Sequence, residues 1–126
     1  MENNILEYFV VLLFLLQLKH WYVDFVNQTM EEVNSKGIYG NLHGVKHSFK
    51  HGLATSLCVM IVTGYEYWVF AFVIGLIDFI THYHIDWCKM NFGNRDIQNP
   101  KFWNHLGLDQ MAHQMTYILL GYMVVG

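Results

Sequence analysis

Four sets of polar residues recur at one spacing in an otherwise apolar chain. They are His20, Asp24 and Gln28; His43, His47 and His51; Asp78, His82 and Asp86; and His105, Asp109 and His113. Each set runs i, i+4, i+8, which places its members on one face of an α-helix. Neutral imidazole and carboxylate together make ligands for a divalent ion, zinc first, with manganese or iron as alternatives. Facing helices of a bundle are an established frame for one or two such ions. Without a cation, carboxylates packed together repel and resist ionisation.

Position along the helices narrows the sets. His20 and Asp24 fall late in the first helical segment, and His82 and Asp86 late in the third. His47 and His51 fall early in the second segment, and Asp109 and His113 early in the fourth. In an up-down bundle these four places share one height. The expected ligands are therefore His20, Asp24, His47, His51, His82, Asp86, Asp109 and His113. Asp24, Asp86 and Asp109 are also the catalytic candidates, and whichever Asp or His of the set does not hold an ion would act as general base. Gln28, Asp78, Lys89 and Gln110 are supporting candidates, with Lys89 three residues beyond Asp86 and Asp78 one turn deeper than His82. His84 lies about 200° around the helix from His82 and is expected to face away. His43 is read as a loop residue and His105 as interfacial. HSFKH (47–51) lacks the glutamate of the HExxH metalloprotease motif. The competing reading is a metal-free polar network, because a single His/Asp pair is more often a hydrogen-bonded core couple.

The elements that must carry these residues are four helical segments, at about 4–30, 45–63, 66–90 and 102–125. NSKGIYGNLHG (34–44) separates the first two, and NFGNRDIQNP (91–100) ends in the single proline, which suits a helix start at Lys101 or Phe102. Hydrophobic residues make up 54% and charged residues 13%, about half the usual charged share. Segments one and three carry long apolar runs, short of the ~20 residues of a full span but continued by amphipathic helix. The reading is an all-α, four-helix up-down transmembrane bundle, one membrane-embedded domain over residues 1–126, with the His/Asp cluster at the cytoplasmic end. A soluble bundle is the alternative.

Charge supplies the orientation. All seven Lys and Arg residues, Lys19, Lys36, Lys46, Lys50, Lys89, Arg95 and Lys101, lie in or beside the 29–44 and 91–100 loops. The termini and the 63–67 turn have none. Both loops are expected in the cytoplasm and both termini outside, in a bacterial or host inner membrane. Net charge is −3, which gives no sign of a nucleic-acid partner. MENN lacks the positive region of a secretory signal, so the first apolar run is expected to stay. Cys58 and Cys88 are read as reduced thiols.

Four motifs carry a resemblance: H-x3-D-F-x2-Q (His20, Asp24, Phe25, Gln28), H-x3-H (His47, His51), H-x2-I-D-x2-K (His82, Ile85, Asp86, Lys89) and D-Q-x2-H (Asp109, Gln110, His113). In this order, over about residues 6–123, the sequence resembles a family of small phage and bacterial integral membrane proteins classed as a domain of unknown function. The resemblance implies a four-helix membrane protein from a phage or its host, and no established activity. His43, Asp78, His84 and His105 lie outside those motifs. More loosely, the helical His/Asp arrangement is similar to that of inner-membrane proteins classed as metal-dependent hydrolases.

Together these readings lead to a membrane-embedded, metal-dependent hydrolase acting on a phospholipid or lipid-linked phosphate, with Lys89, Lys50 or Arg95 receiving the anionic headgroup. The alternative is a non-enzymatic phage protein with a structural metal that acts on a host membrane protein, in superinfection exclusion or lysis control. A third is proton or metal transport, which the apolar outer halves of the helices oppose. Membrane lipid is the expected partner, and an oligomer is compatible.

Overall fold

The computed structural model describes residues 2–126. Its elements are α1 (Glu2–Trp21), α2 (Met30–Ser35), α3 (Leu42–Thr63), α4 (Trp68–Phe92) and α5 (Pro100–Val125), with no strand among the described residues. The four long helices form a ring, α1 and α4 each packing on both α3 and α5. The short α2 packs on α3.

Three local signals set the boundaries. Gly64, at φ 102°, stops α3 in a backbone region that favours glycine, and a short 3₁₀ turn, Tyr65–Tyr67, leads into α4. Asn99 caps α5 by accepting from the Lys101 N–H, with Pro100 in the first turn. α5 therefore starts slightly before the expected position, and α3 starts at Leu42 rather than Val45 for the same reason, Asn41 accepting from the His43 N–H.

The first segment departs furthest from expectation. It was expected as one helix over about 4–30; instead α1 ends at Trp21 and passes into a π-helical turn, Tyr22–Val26, that holds Asp24. The Gln28 amide closes this turn by donating to the Asp24 carbonyl at 2.8 Å. Such turns insert a residue into the helical ladder and shift the side chains beyond it. A fifth helix, α2, then starts at a capping box: Thr29 Oγ1 accepts from the Glu32 N–H, and the Glu32 carboxylate accepts from the Thr29 N–H.

Two layers divide the interior. Leu12, Leu16, Cys58, Val59, Ala71, Ile74, Tyr117 and Leu120 form the buried apolar core. Toward the α2 end, the buried residues become His, Asp, Glu and Lys. The outward surface reverses the usual rule, with Val10, Phe14, Leu57, Ile61, Val73, Leu76, Ile118 and Leu119 exposed on all four long helices. Two helices, Asn4–Val26 and Tyr65–Phe92, are long and apolar enough to cross a membrane, and only 33% of the most apolar stretch of each is buried.

α3 and α4 approach most closely through small residues, as membrane helices commonly do. A Cβ on Gly75 would collide with Ser56 Oγ and the Gly52 carbonyl. Gly75→Ala is therefore expected to destabilise the protein by about 1–3 kcal/mol through overpacking. Thermal unfolding in detergent, compared with Gly107→Ala, where the added methyl meets open space, checks this.

Candidate metal centre

All four long helices and the π-turn deliver side chains to one buried point. The α3–α4 and α4–α5 contacts stack the imidazoles: His51 and His82 ring centroids are 3.6 Å apart at 23°, and His82 and His113 are 4.1 Å apart at 23°. The π-turn places Asp24 against this stack. Asp24 Oδ1 is 2.9 Å from His47 Nε2, 2.8 Å from His51 Nε2 and 3.7 Å from His82 Nε2. On the other side, His82 Nε2 is 3.3 Å from Asp86 Oδ2, and His113 Nε2 is 3.2 Å from Asp86 Oδ1 and 3.4 Å from Asp109 Oδ1. His20 Nε2 is 3.2 Å from Asp24 Oδ2. The eight expected ligands thus form one connected cluster, and all are buried.

Two subsets could hold an ion: Asp24, His47, His51 and His82, and a second made of His82, Asp86 and His113. Two atoms bound to one tetrahedral zinc, each ~2.0–2.1 Å from it, lie roughly 3.3 Å apart. The observed separations bracket that value. His82 carries the clearest sign of a missing partner: it is fully buried, and neither Nδ1 nor Nε2 has a hydrogen-bond partner. Asp109 Oδ1 is likewise unmatched. Orphaned buried polar groups cost about 1–3 kcal/mol each, and a cation in either set would satisfy His82 Nε2. The residues therefore fit a divalent ion.

His20 plays a different part. Gln110 Nε2 donates to Asp109 Oδ2 at 3.0 Å, which leaves Gln110 Oε1 to accept from His20 Nε2 at 2.8 Å. His20 Nδ1 then accepts from the Tyr117 hydroxyl at 2.7 Å. With both nitrogens engaged by neutral groups, His20 stands beside Asp24, its Nε2 3.2 Å from Asp24 Oδ2, with no lone pair left for an ion. Gln28 binds backbone, as described, and Asp78 lies beneath the centre. His43 and His84 are exposed, and His84 bonds the Ile80 carbonyl and the Tyr39 hydroxyl. His105 Nδ1 accepts from the Asn94 N–H at 2.8 Å, so its Nε2 carries the hydrogen.

A supporting shell surrounds these groups. His47 Nδ1 lies 3.3 Å from Glu32 Oε2, so Nδ1–H can donate to the glutamate while Nε2 keeps a free lone pair. A carboxylate behind a histidine is the usual support for a metal ligand. Burial pushes the Glu32 carboxyl up, but the Lys50 ammonium, His47 and the Thr29 N–H outweigh it and hold the carboxyl below its ordinary value. Beneath the centre, Asp78 Oδ2 accepts from Lys19 Nζ at 2.8 Å and from Thr55 Oγ1 at 2.6 Å. Lys19 Nζ also lies 3.1 Å from His51 Nδ1 and 4.5 Å from the Tyr117 ring centre. Donation from Lys19 keeps the His51 hydrogen on Nε2, where it goes to Asp24. Ligation through Nε2 would move it to Nδ1 and turn the ammonium wholly to Asp78.

Lys19, Glu32, Lys36, Thr55 and Tyr117 were not among the expected site residues. The sequence does hold signals for some of them. T-x-x-E at 29–32 announces a helix inside the supposed loop, Thr55 continues the 47, 51 spacing, and Tyr117 continues 109, 113. Lys19 and Lys36 were read as cations in or beside the loops. Both are buried instead, Lys36 Nζ lying 3.2 Å from Asp86 Oδ2.

Two pockets reach the cluster. One, of about 390 Å³, is lined by Asp24 together with Lys36, Lys89, Arg95, His105 and Gln110. The other, of about 420 Å³ between α4 and α5, is lined by Asp109 and by apolar side chains including Ile85, Phe92 and Leu108. They share Lys89 and His105.

No curated protein and no solved structure matches the chain. The family model for proteins of unknown function DUF3307 matches residues 12–126, which takes in every residue of the cluster. The chain belongs to the DUF3307 family.

Proposed function

We propose that the chain is a membrane-embedded, metal-dependent hydrolase acting on a phospholipid or lipid-linked phosphate at the cytoplasmic interface. The observation that carries this reading is the pocket in which Asp24 of the candidate centre meets Lys36, Lys89 and Arg95. Arg95 has no carboxylate pair among the described residues and is left to recognise an anionic oxygen, with Lys36 and Lys89 beside it on Asp86 and Asp109, and one pocket wall is shared with an apolar groove. A divalent ion supplies Lewis-acid polarisation of a phosphoryl or acyl oxygen and activates water. The chain itself supplies the rest. Asp24, His47, His51 and His82 would hold the ion, and Lys89 and Arg95 would orient the headgroup. A carboxylate not engaged with the ion, Asp109 being the one that lines the groove, would accept a proton. Lys50 does not line that pocket and is held by Glu32 at 2.8 Å and by Asn27, so it is not a headgroup residue in this reading.

Membrane placement is supported by the outward apolar surface and by helix length, since α1 and α4 are about 30 and 37 Å long against ~30 Å of hydrocarbon. Lys19 and Lys36 no longer count as orientation markers. Lys46, Lys50, Lys89, Arg95 and Lys101 still lie at the loop end and none at the other, which supports cytoplasmic loops. The Leu12, Leu16, Val59, Ile74 and Leu120 layer opposes a polar path through the bundle.

The test is hydrolysis of vesicles carrying a lipid monophosphate, a lipid diphosphate or a diacyl phospholipid, with Zn²⁺, Mn²⁺ or Fe²⁺. Turnover of one substrate, removed by chelator, is expected. Arg95→Gln is expected to raise KM about tenfold, the loss of roughly one charged hydrogen bond, with kcat little changed. Absence of turnover on all three substrates by metal-loaded protein contradicts the reading.

A further inference from the structure

Five carboxylates are buried near the centre: Asp24, Glu32, Asp78, Asp86 and Asp109. Four of them have a lysine. Lys19 pairs with Asp78 at 2.8 Å, Lys36 with Asp86 at 3.2 Å, Lys50 with Glu32 at 2.8 Å and Lys89 with Asp109 at 3.1 Å. Asp24 alone, among the described residues, faces only imidazoles: His20, His47, His51 and His82. Asp24 is thus the one of the five with no ammonium beside it to compensate its charge.

We propose that the centre takes one divalent cation, at Asp24, His47, His51 and His82, and that the Lys36 and Lys89 ammonium groups stand where a second ion would otherwise bind. This rests on the metal reading above and adds its stoichiometry. A second ion would bring two more positive charges into a buried volume already holding two ammonium groups beside the same carboxylates. Burying charge without a counter-charge is strongly unfavourable. His82 Nε2, which has no hydrogen-bond partner, lies 3.7 Å from Asp24 Oδ1 and 3.3 Å from Asp86 Oδ2; His82 is common to both candidate sets, and only the Asp24 set supplies four ligand atoms.

Cobalt titration of the metal-free, detergent-purified protein, followed by the visible absorption of the bound ion, tests this directly. Saturation at one equivalent per chain is expected in the wild type. An endpoint of two equivalents overturns the proposal while leaving a metal-dependent hydrolase possible. No binding of cobalt or zinc overturns this proposal and the metal reading together. The Lys36→Met, Lys89→Met double variant frees Asp86 and Asp109 and is expected to bind a second equivalent. The double variant remaining at one, with helicity unchanged by circular dichroism, overturns the role given to the lysines. Lys36→Arg keeps the charge and is expected to stay at one. If the double variant does not fold, the wild-type endpoint decides.

Discussion

Asp24→Asn is expected to weaken binding of the divalent ion by at least about 100-fold, more than loss of a supporting group behind a ligand would cost. The exchange preserves shape and removes the one buried carboxylate that no lysine compensates. It also removes the acceptor that three imidazole Nε2 atoms approach, two of them within 3 Å. An amide presents a weaker ligand oxygen and an N–H₂ that repels a cation. The same variant should lose metal-dependent stabilisation, which for a wild-type site at 100 times its Kd is about 2.7 kcal/mol. Elemental analysis and thermal unfolding with and without zinc measure the two effects. His84→Ala is the control, because His84 is exposed and bonds the Ile80 carbonyl and the Tyr39 hydroxyl. Equal metal retention by Asp24→Asn and His84→Ala would exclude Asp24 as a ligand.

The second large effect concerns the layer beneath. Lys19→Met removes the only ammonium paired with Asp78 among the described residues, and Asp78 Oδ2 would keep the Thr55 hydroxyl. Breaking a buried pair by one partner typically costs about 3–5 kcal/mol, whereas replacing both partners by apolar groups is often neutral. Lys19→Met is therefore expected to destabilise by that amount, and Lys19→Met with Asp78→Leu to recover most of it. Denaturant titration of the three variants gives the coupling. Additive losses would mean that the pair does not act as a unit. The variant has a chemical consequence too, since Lys19 contacts His51 Nδ1. Its removal frees Nδ1 to carry the hydrogen and should not weaken the metal site.

Much of the cluster was legible because helical spacing and helix position are both sequence properties. His47/His51, His82/Asp86 and Asp109/His113 lie on regular helices, so an i, i+4 rule carries them to one point. His20/Asp24 survives a change of helix type: the four-residue step crosses from α1 into the π-turn and the pair still meets at 3.2 Å. Gln28, four residues further on, does not survive it and turns to the backbone. The burial of Lys36 is hidden from the sequence because a cation beside a glycine-rich loop ordinarily marks an interface. Only tertiary packing reveals that Lys36 reaches Asp86, fifty residues away. α2 was missed as a helix because six residues leave no period to detect. Its capping box was the available signal, and it positions Glu32 behind His47.

Crystallographic data from zinc-loaded protein, collected on both sides of the zinc absorption edge, would show whether this cluster holds a divalent ion. One strong anomalous peak is expected, bounded by Asp24 Oδ1 and the Nε2 atoms of His47, His51 and His82, with the Lys36 and Lys89 ammonium groups still against Asp86 and Asp109. An empty cluster, or a peak elsewhere on the protein, would contradict the metal reading.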